Sequence, residues 1–131
     1  MGTTNFPQGV SSPLVINFAA ASQTLDGSQC GQRFVGVVDA VFTLPSAVVA
    51  PVGTWYEFEC GALSSGVGLS ISPNSADAVI GNGLSAVNNK DLINSGASDR
   101  LGDSVRIHNT GVAGTGAWVI DAIIGTWAKE A

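Results

Sequence analysis

Hydrophobic and polar residues alternate in short runs along this chain. In TWYEFEC (54–60), Tyr56, Phe58 and Cys60 fall on one side of an extended strand, and Trp55, Glu57 and Glu59 on the other. Val67, Leu69 and Ile71 alternate with Gly68, Ser70 and Ser72, and Val105 and Ile107 with Arg106 and His108. Each run predicts a strand with one face in a core and one face polar. PLVINFAA (13–20), QRFVGVV (32–38), VFTLP (41–45) and AWVIDAIIGTW (117–127) are further β-rich runs closed by turn-forming residues. Many short strands with turns between them predict a sandwich or a barrel. No stretch carries a convincing helical period, although SAVVA (46–50) suits a single turn.

Two segments break the pattern. Residues 74–103 are rich in Asn, Ser, Asp and Gly, which predicts long loops holding short strands pinned by Val79–Ile80 and Leu92–Ile93. Residues 1–12, MGTTNFPQGVSS, have no period and read as an extended N-terminal arm ahead of a single domain over 13–131. An arm without a core of its own gains stability only by docking, so Phe6, Pro7 and Val10 are its candidate anchors on a neighbouring subunit.

Gly111, Gly114 and Gly116 sit between SVRIHNT (104–110) and AWVIDAI (117–123). A phosphate loop of the Walker type needs a Lys and a Ser or Thr at fixed spacing, and no Lys or Arg lies between 107 and 128. The glycines instead join two alternating runs, so they predict a β-hairpin with a longer loop.

Composition changes the picture on one point. Hydrophobic residues make up 45% of the chain, but charged residues only 11%, against about 25% in an ordinary soluble domain. A surface so poor in charge is suited to facing other protein. Net charge is −5, and Arg33, Lys90, Arg100, Arg106 and Lys129 are scattered in sequence, which argues against nucleic acid as a partner. The most apolar span, 34–53, is interrupted by Asp39, Pro45 and Pro51, so no membrane span is expected. No basic segment precedes an apolar one at the N-terminus, so no signal peptide is expected.

Candidate chemistry is thin. Cys30 and Cys60 read as two small hydrophobes, or as a disulfide if their strands adjoin in an oxidising setting. His108 is the one histidine, too few for a metal site, and it reads as a strand residue on a polar face. Glu57 and Glu59 stand about 7 Å apart on one face, an arrangement more typical of a solvated strand than of a catalytic cleft. Asp77, Asp91, Asp99 and Asp103 lack calcium-loop spacing and read as turn residues. No catalytic residue, cofactor or metal is expected. Trp118 is in register with Ile120, Ala122 and Ile124 and is expected in the core, whereas Trp55 and Trp127 are the candidate interface anchors.

FTLP (42–45), GTWYEF (53–58), LSISP (69–73), IGNG (80–83), GDSVRI (102–107), AWVI (117–120) and GTW (125–127) occur in an order that resembles small β-structured bacteriophage virion proteins. These include head decoration and capsid cement proteins and tail-fibre modules. The resemblance covers about residues 29–127. It implies a jelly-roll-like β-sandwich and a role in virion assembly, and it brings no catalytic residues with it. The chain has no coiled-coil or collagen-like repeat, so a short decoration protein suits it better than a whole fibre.

The resulting expectation is an all-β, antiparallel, jelly-roll-like sandwich with an N-terminal arm. Its expected role is to bind the major capsid protein on the outside of a phage shell and stabilise it. It would be made in the host cytoplasm and would act on the virion as a homo-oligomer, a trimer before a dimer, because such proteins sit at symmetry seams. The alternative is a receptor- or glycan-binding module of a tail fibre or spike.

Overall fold

A computed structural model describes residues 15–19, 21–37, 39–61, 68–94 and 98–131. The proposed arm, with Phe6 and Val10, lies outside the described residues. The described chain is all β: β1 Ile16–Ala19, β2 Gln23–Thr24, β3 Arg33–Gly36, β4 Ala40–Thr43, β5 Trp55–Cys60, β6 Leu69–Ser72, β7 Asp77–Ile80, β8 Leu92–Asn94, β9 Ser104–Asn109, β10 Gly114–Ile124 and β11 Ala128–Lys129. β7 and β8 contain the apolar pairs expected to pin the 74–103 region. β2 and β11 have two residues each, too few to carry a readable period. Among the described residues no helix is long and apolar enough to cross a membrane.

The strands form two mixed sheets, one in the order β1-β3-β5-β9-β10-β7 and the other β11-β8-β6-β4-β2. This corrects the antiparallel expectation. β1, β3 and β5 run parallel in the first sheet, and β2, β4 and β6 run parallel in the second. The reason is the path of the chain. Through β6 each strand crosses to the opposite sheet instead of folding back beside its predecessor, so same-sheet neighbours are two strands apart and point the same way. The first half therefore winds in coils, one strand per sheet in each. The second half adds antiparallel pairs, including the expected β9–β10 hairpin, in which Trp118 lies opposite Asn109 and Ile120 opposite Ile107.

In β5 and β9 alternation assigns the faces as expected, whereas in β10 the register shifts between Ile120 and Ala122, so Ala122 and Ile124 are exposed and do not share the core face of Trp118. Tyr56, Phe58 and Cys60 of β5 are buried, as are Val105 and Ile107 of β9. Side chains from both sheets meet in one cluster. Phe34 and Phe58 are register neighbours in the first sheet. Phe42, from the second, brings its ring centroid to 5.5 Å from Phe34 and 5.2 Å from Phe58. Tyr56 stacks on Trp118 at 5.7 Å. Such pairs add about 0.5–1.5 kcal/mol each beyond the area they bury.

Candidate interaction surface

Sheet geometry brings the scattered charges together on the outer face of the first sheet. Arg33, Glu57 and Arg106 are register neighbours on β3, β5 and β9. Arg33 reaches Glu59 at 2.8 Å and Glu57 at 3.2 Å, and Arg106 Nε approaches Glu57 at 3.5 Å. The two glutamates are thus spanned by arginines, which accounts for them as a structural ladder. The pairs are partly buried on an open sheet face, where ion pairs contribute about 1 kcal/mol or less each. His108 Nδ1 lies 2.8 Å from Asp121 Oδ1 on the neighbouring strand. Among the described residues no group of His, Cys, Asp and Glu is arranged to hold a metal ion.

Trp55 belongs to this face but is half-buried, with the Arg106 guanidinium 4.6 Å from its ring centroid. Its backbone N–H donates to Cys30 Sγ, and its carbonyl accepts from Gly31. Trp127 lies elsewhere. It is 7% exposed, belongs to the core cluster and donates from Nε1 to the Ile124 carbonyl at 3.0 Å. It therefore presents no ring to a partner, a correction to its place among the anchors. Trp118 is fully buried as expected, and its Nε1 finds no acceptor. Cys30 is exposed, Cys60 is buried, and the two are not joined.

The residues that stand out were not singled out by the sequence. Loop 44–54 and segment 109–120 contain no charged residue. Their side chains Val48, Val49, Val52 and Val112 are 62%, 77%, 77% and 64% exposed. Loops are usually polar because their surroundings are water. Here the apolar loops are fastened from beneath by buried polar groups. Asn109 Nδ2 donates to the carbonyls of Ala47, Ala50 and Pro51 at 3.0–3.1 Å, and its Oδ1 accepts from Gly111 N–H at 2.8 Å. Its backbone pairs with Gly53 and Thr54. Asp77, also fully buried, accepts from Ala47 N–H at 2.8 Å and from Gly114 N–H at 3.3 Å. Gly111 has φ +81°, and a Cβ there would lie 2.5 Å from Val52 Cγ2, so the two loops touch where only a glycine fits. One signal in the sequence, the four apolar residues 47–50 followed by Pro51, Val52 and Gly53 in a turn between strands, could have marked this end. Apolar runs ordinarily point to the core.

Electrostatics elsewhere serves the fold. Tyr56 donates to the Asp26 carbonyl at 2.6 Å, and burial, then the nearby Asp26 and Cys30, push its hydroxyl well above the usual tyrosine range. Lys129 donates to the carbonyls of Val79 and Lys90, and burial pulls its ammonium below the usual lysine range against the opposing pull of Asp91 and Glu130. No protein-family model matches the chain, and no curated protein matches it significantly.

Proposed function

We propose that this chain is a structural protein of a bacteriophage particle. It binds the outside of the capsid shell through its apolar loop end and stabilises the shell as a decoration or cement protein. The observation that carries the reading is the set of exposed valines, Val48, Val49, Val52 and Val112, on charge-free loops fastened by buried Asn109 and Asp77. A surface already held in one conformation loses little entropy on docking. We take the two facing sheets as a β-sandwich that carries loops at its ends as jelly-roll sandwiches do, although its parallel first half departs from jelly-roll pairing. The partner is the major capsid protein, and copies self-associate at a seam of the shell, as trimers before dimers.

Binding to the intact shell and not to dispersed subunits stabilises the shell at every occupied site, by about 2.7 kcal/mol at a hundredfold excess over Kd. The test is to add the protein to undecorated capsids, measure co-sedimentation and challenge the shells with heat. Wild type should bind, raise the temperature of shell rupture and depend little on salt. The Val48→Ser, Val49→Ser, Val52→Ser triple variant should keep its fold and lose binding. Capsids ignored by the wild-type protein would sink the reading. Binding to a polysaccharide or host surface in their place would favour the tail-tip alternative.

A further inference from the structure

We infer that the open edge of β2 accepts residues 4–6 of the same chain as a further parallel strand of the second sheet, in place of the neighbouring-subunit docking expected for this segment. Among the described residues β2 is the edge of its sheet and pairs only with β4. The coils end in a repeated bond. Leu25 N–H donates to Thr43 O and Leu44 N–H donates to Ser72 O, each at 2.8 Å, and Leu25 and Leu44 are both buried. The donors are a large apolar residue, and the acceptors are Thr or Ser one step along the next coil. In a parallel ladder alternate residues direct their N–H and C=O to opposite sides of the strand. With Leu25 committed to Thr43, the backbone groups of Thr24 face the open side, and Thr24 is the next member of the acceptor series Thr24, Thr43, Ser72.

The sequence supplies the matching donor. Leu25 and Leu44 are 19 residues apart, and Phe6 stands 19 residues before Leu25. Thr4-Asn5-Phe6-Pro7 aligns with Gln23-Thr24-Leu25-Asp26 and Phe42-Thr43-Leu44-Pro45, and Pro7 repeats Pro45 directly after the apolar residue. The connection also fits. Leu25 is followed by seven residues before β3, Leu44 by ten before β5, and Phe6 by nine before β1. The proposed register would pair Thr24 with Asn5, with the Thr24 C=O and N–H free to take the Phe6 N–H and the Thr4 C=O as partners. An exposed strand edge is a template for pairing with other chains, and the added strand removes it.

The inference is independent of the virion reading and is tested on the purified chain. Asn5→Cys with Thr24→Cys, in a Cys30→Ser background, is oxidised and analysed by non-reducing electrophoresis and peptide mass spectrometry. The expected product is an intramolecular disulfide that forms faster than in Asn5→Cys with Thr115→Cys. A disulfide joining two copies, or no preference over the Thr115 control, overturns the proposal. Amide exchange gives a second readout without cysteines. The Thr24 amide should exchange at least tenfold more slowly in wild type than in Phe6→Asp, and equal rates would likewise overturn it.

Discussion

Asp77 and Asn109 hold the Ala47 peptide from its two sides: Ala47 N–H donates to Asp77 Oδ2, and Ala47 C=O accepts from Asn109 Nδ2. The two residues sit at the same end of the first sheet on β7 and β9, with β10 between them. Both are polar and fully buried, and together they fix the loop that carries Val48 and Val49. A buried carboxylate can accept N–H bonds only, and a buried amide can both donate and accept, so the two side chains are not interchangeable.

Asn109→Ala leaves three loop carbonyls and the Gly111 N–H without their buried partner. We expect a loss of about 2–4 kcal/mol in urea unfolding. Asn109→Asp should be worse at neutral pH, since it sets a buried carboxylate against the same carbonyls, and should recover in part on acidification. Equal stability of wild type and Asn109→Ala would show that the loop does not depend on this residue.

The tryptophans should separate in stability measurements. Trp127→Ala opens the core and should cost about 3–5 kcal/mol. Trp55→Ala removes a half-buried ring and its Arg106 contact and should cost about 1–2 kcal/mol. Denaturant midpoints with an unchanged m-value check both, and a reversed order would contradict their assigned places.

Gly125 has φ +91°, and a Cβ there would lie 2.2 Å from the carboxyl carbon of Asp103, a buried group that accepts from Asn94 Nδ2 and Arg100 N–H. Gly125→Ala is therefore strained in backbone and in space and should cost more than about 2 kcal/mol. Gly116, which has open space around the same atom and no positive φ, should accept Ala within about 0.5 kcal/mol. Thermal melts of the two variants compare them directly.

Tyr56 sets an alkaline limit. Its hydroxyl is held above the ordinary value of 10.0 by burial. Above that value the unfolded chain loses the proton while the folded chain keeps it, so the folded state binds more protons and stability falls as pH rises. The contribution is whole below 10.0 and is lost as the pH climbs from there towards the folded value. Tyr56→Phe should flatten this alkaline slope, while costing about 1 kcal/mol at neutral pH for the lost bond to Asp26. Parallel slopes for variant and wild type from pH 9 to 11 would assign the alkaline limit to another group.

What the sequence by itself determined is the all-β class, the position of most strands and the inward faces of β5 and β9, but not that of β10, where the register shifts after Ile120 and leaves Ile124 outside. Tyr56, Phe58, Val105 and Ile107 lie inside because a strand's side chains alternate with a period of two wherever it sits. The same period says nothing about which strand lies alongside or in which direction. That was decided by connections that cross between sheets, so β3 and β5 pair in parallel although nothing in their residues distinguishes this from a hairpin. The interaction surface was less legible still. Val48, Val49 and Val52 form an apolar run of the kind that usually fills a core, and Trp127 has the look of an exposed anchor; the tertiary structure reverses both. The reason is local. Asp77, which reads as a turn residue, and Asn109, which reads as part of a strand run, satisfy enough loop backbone from below to keep an apolar loop outside, while the segment after β10 folds Trp127 back over the core.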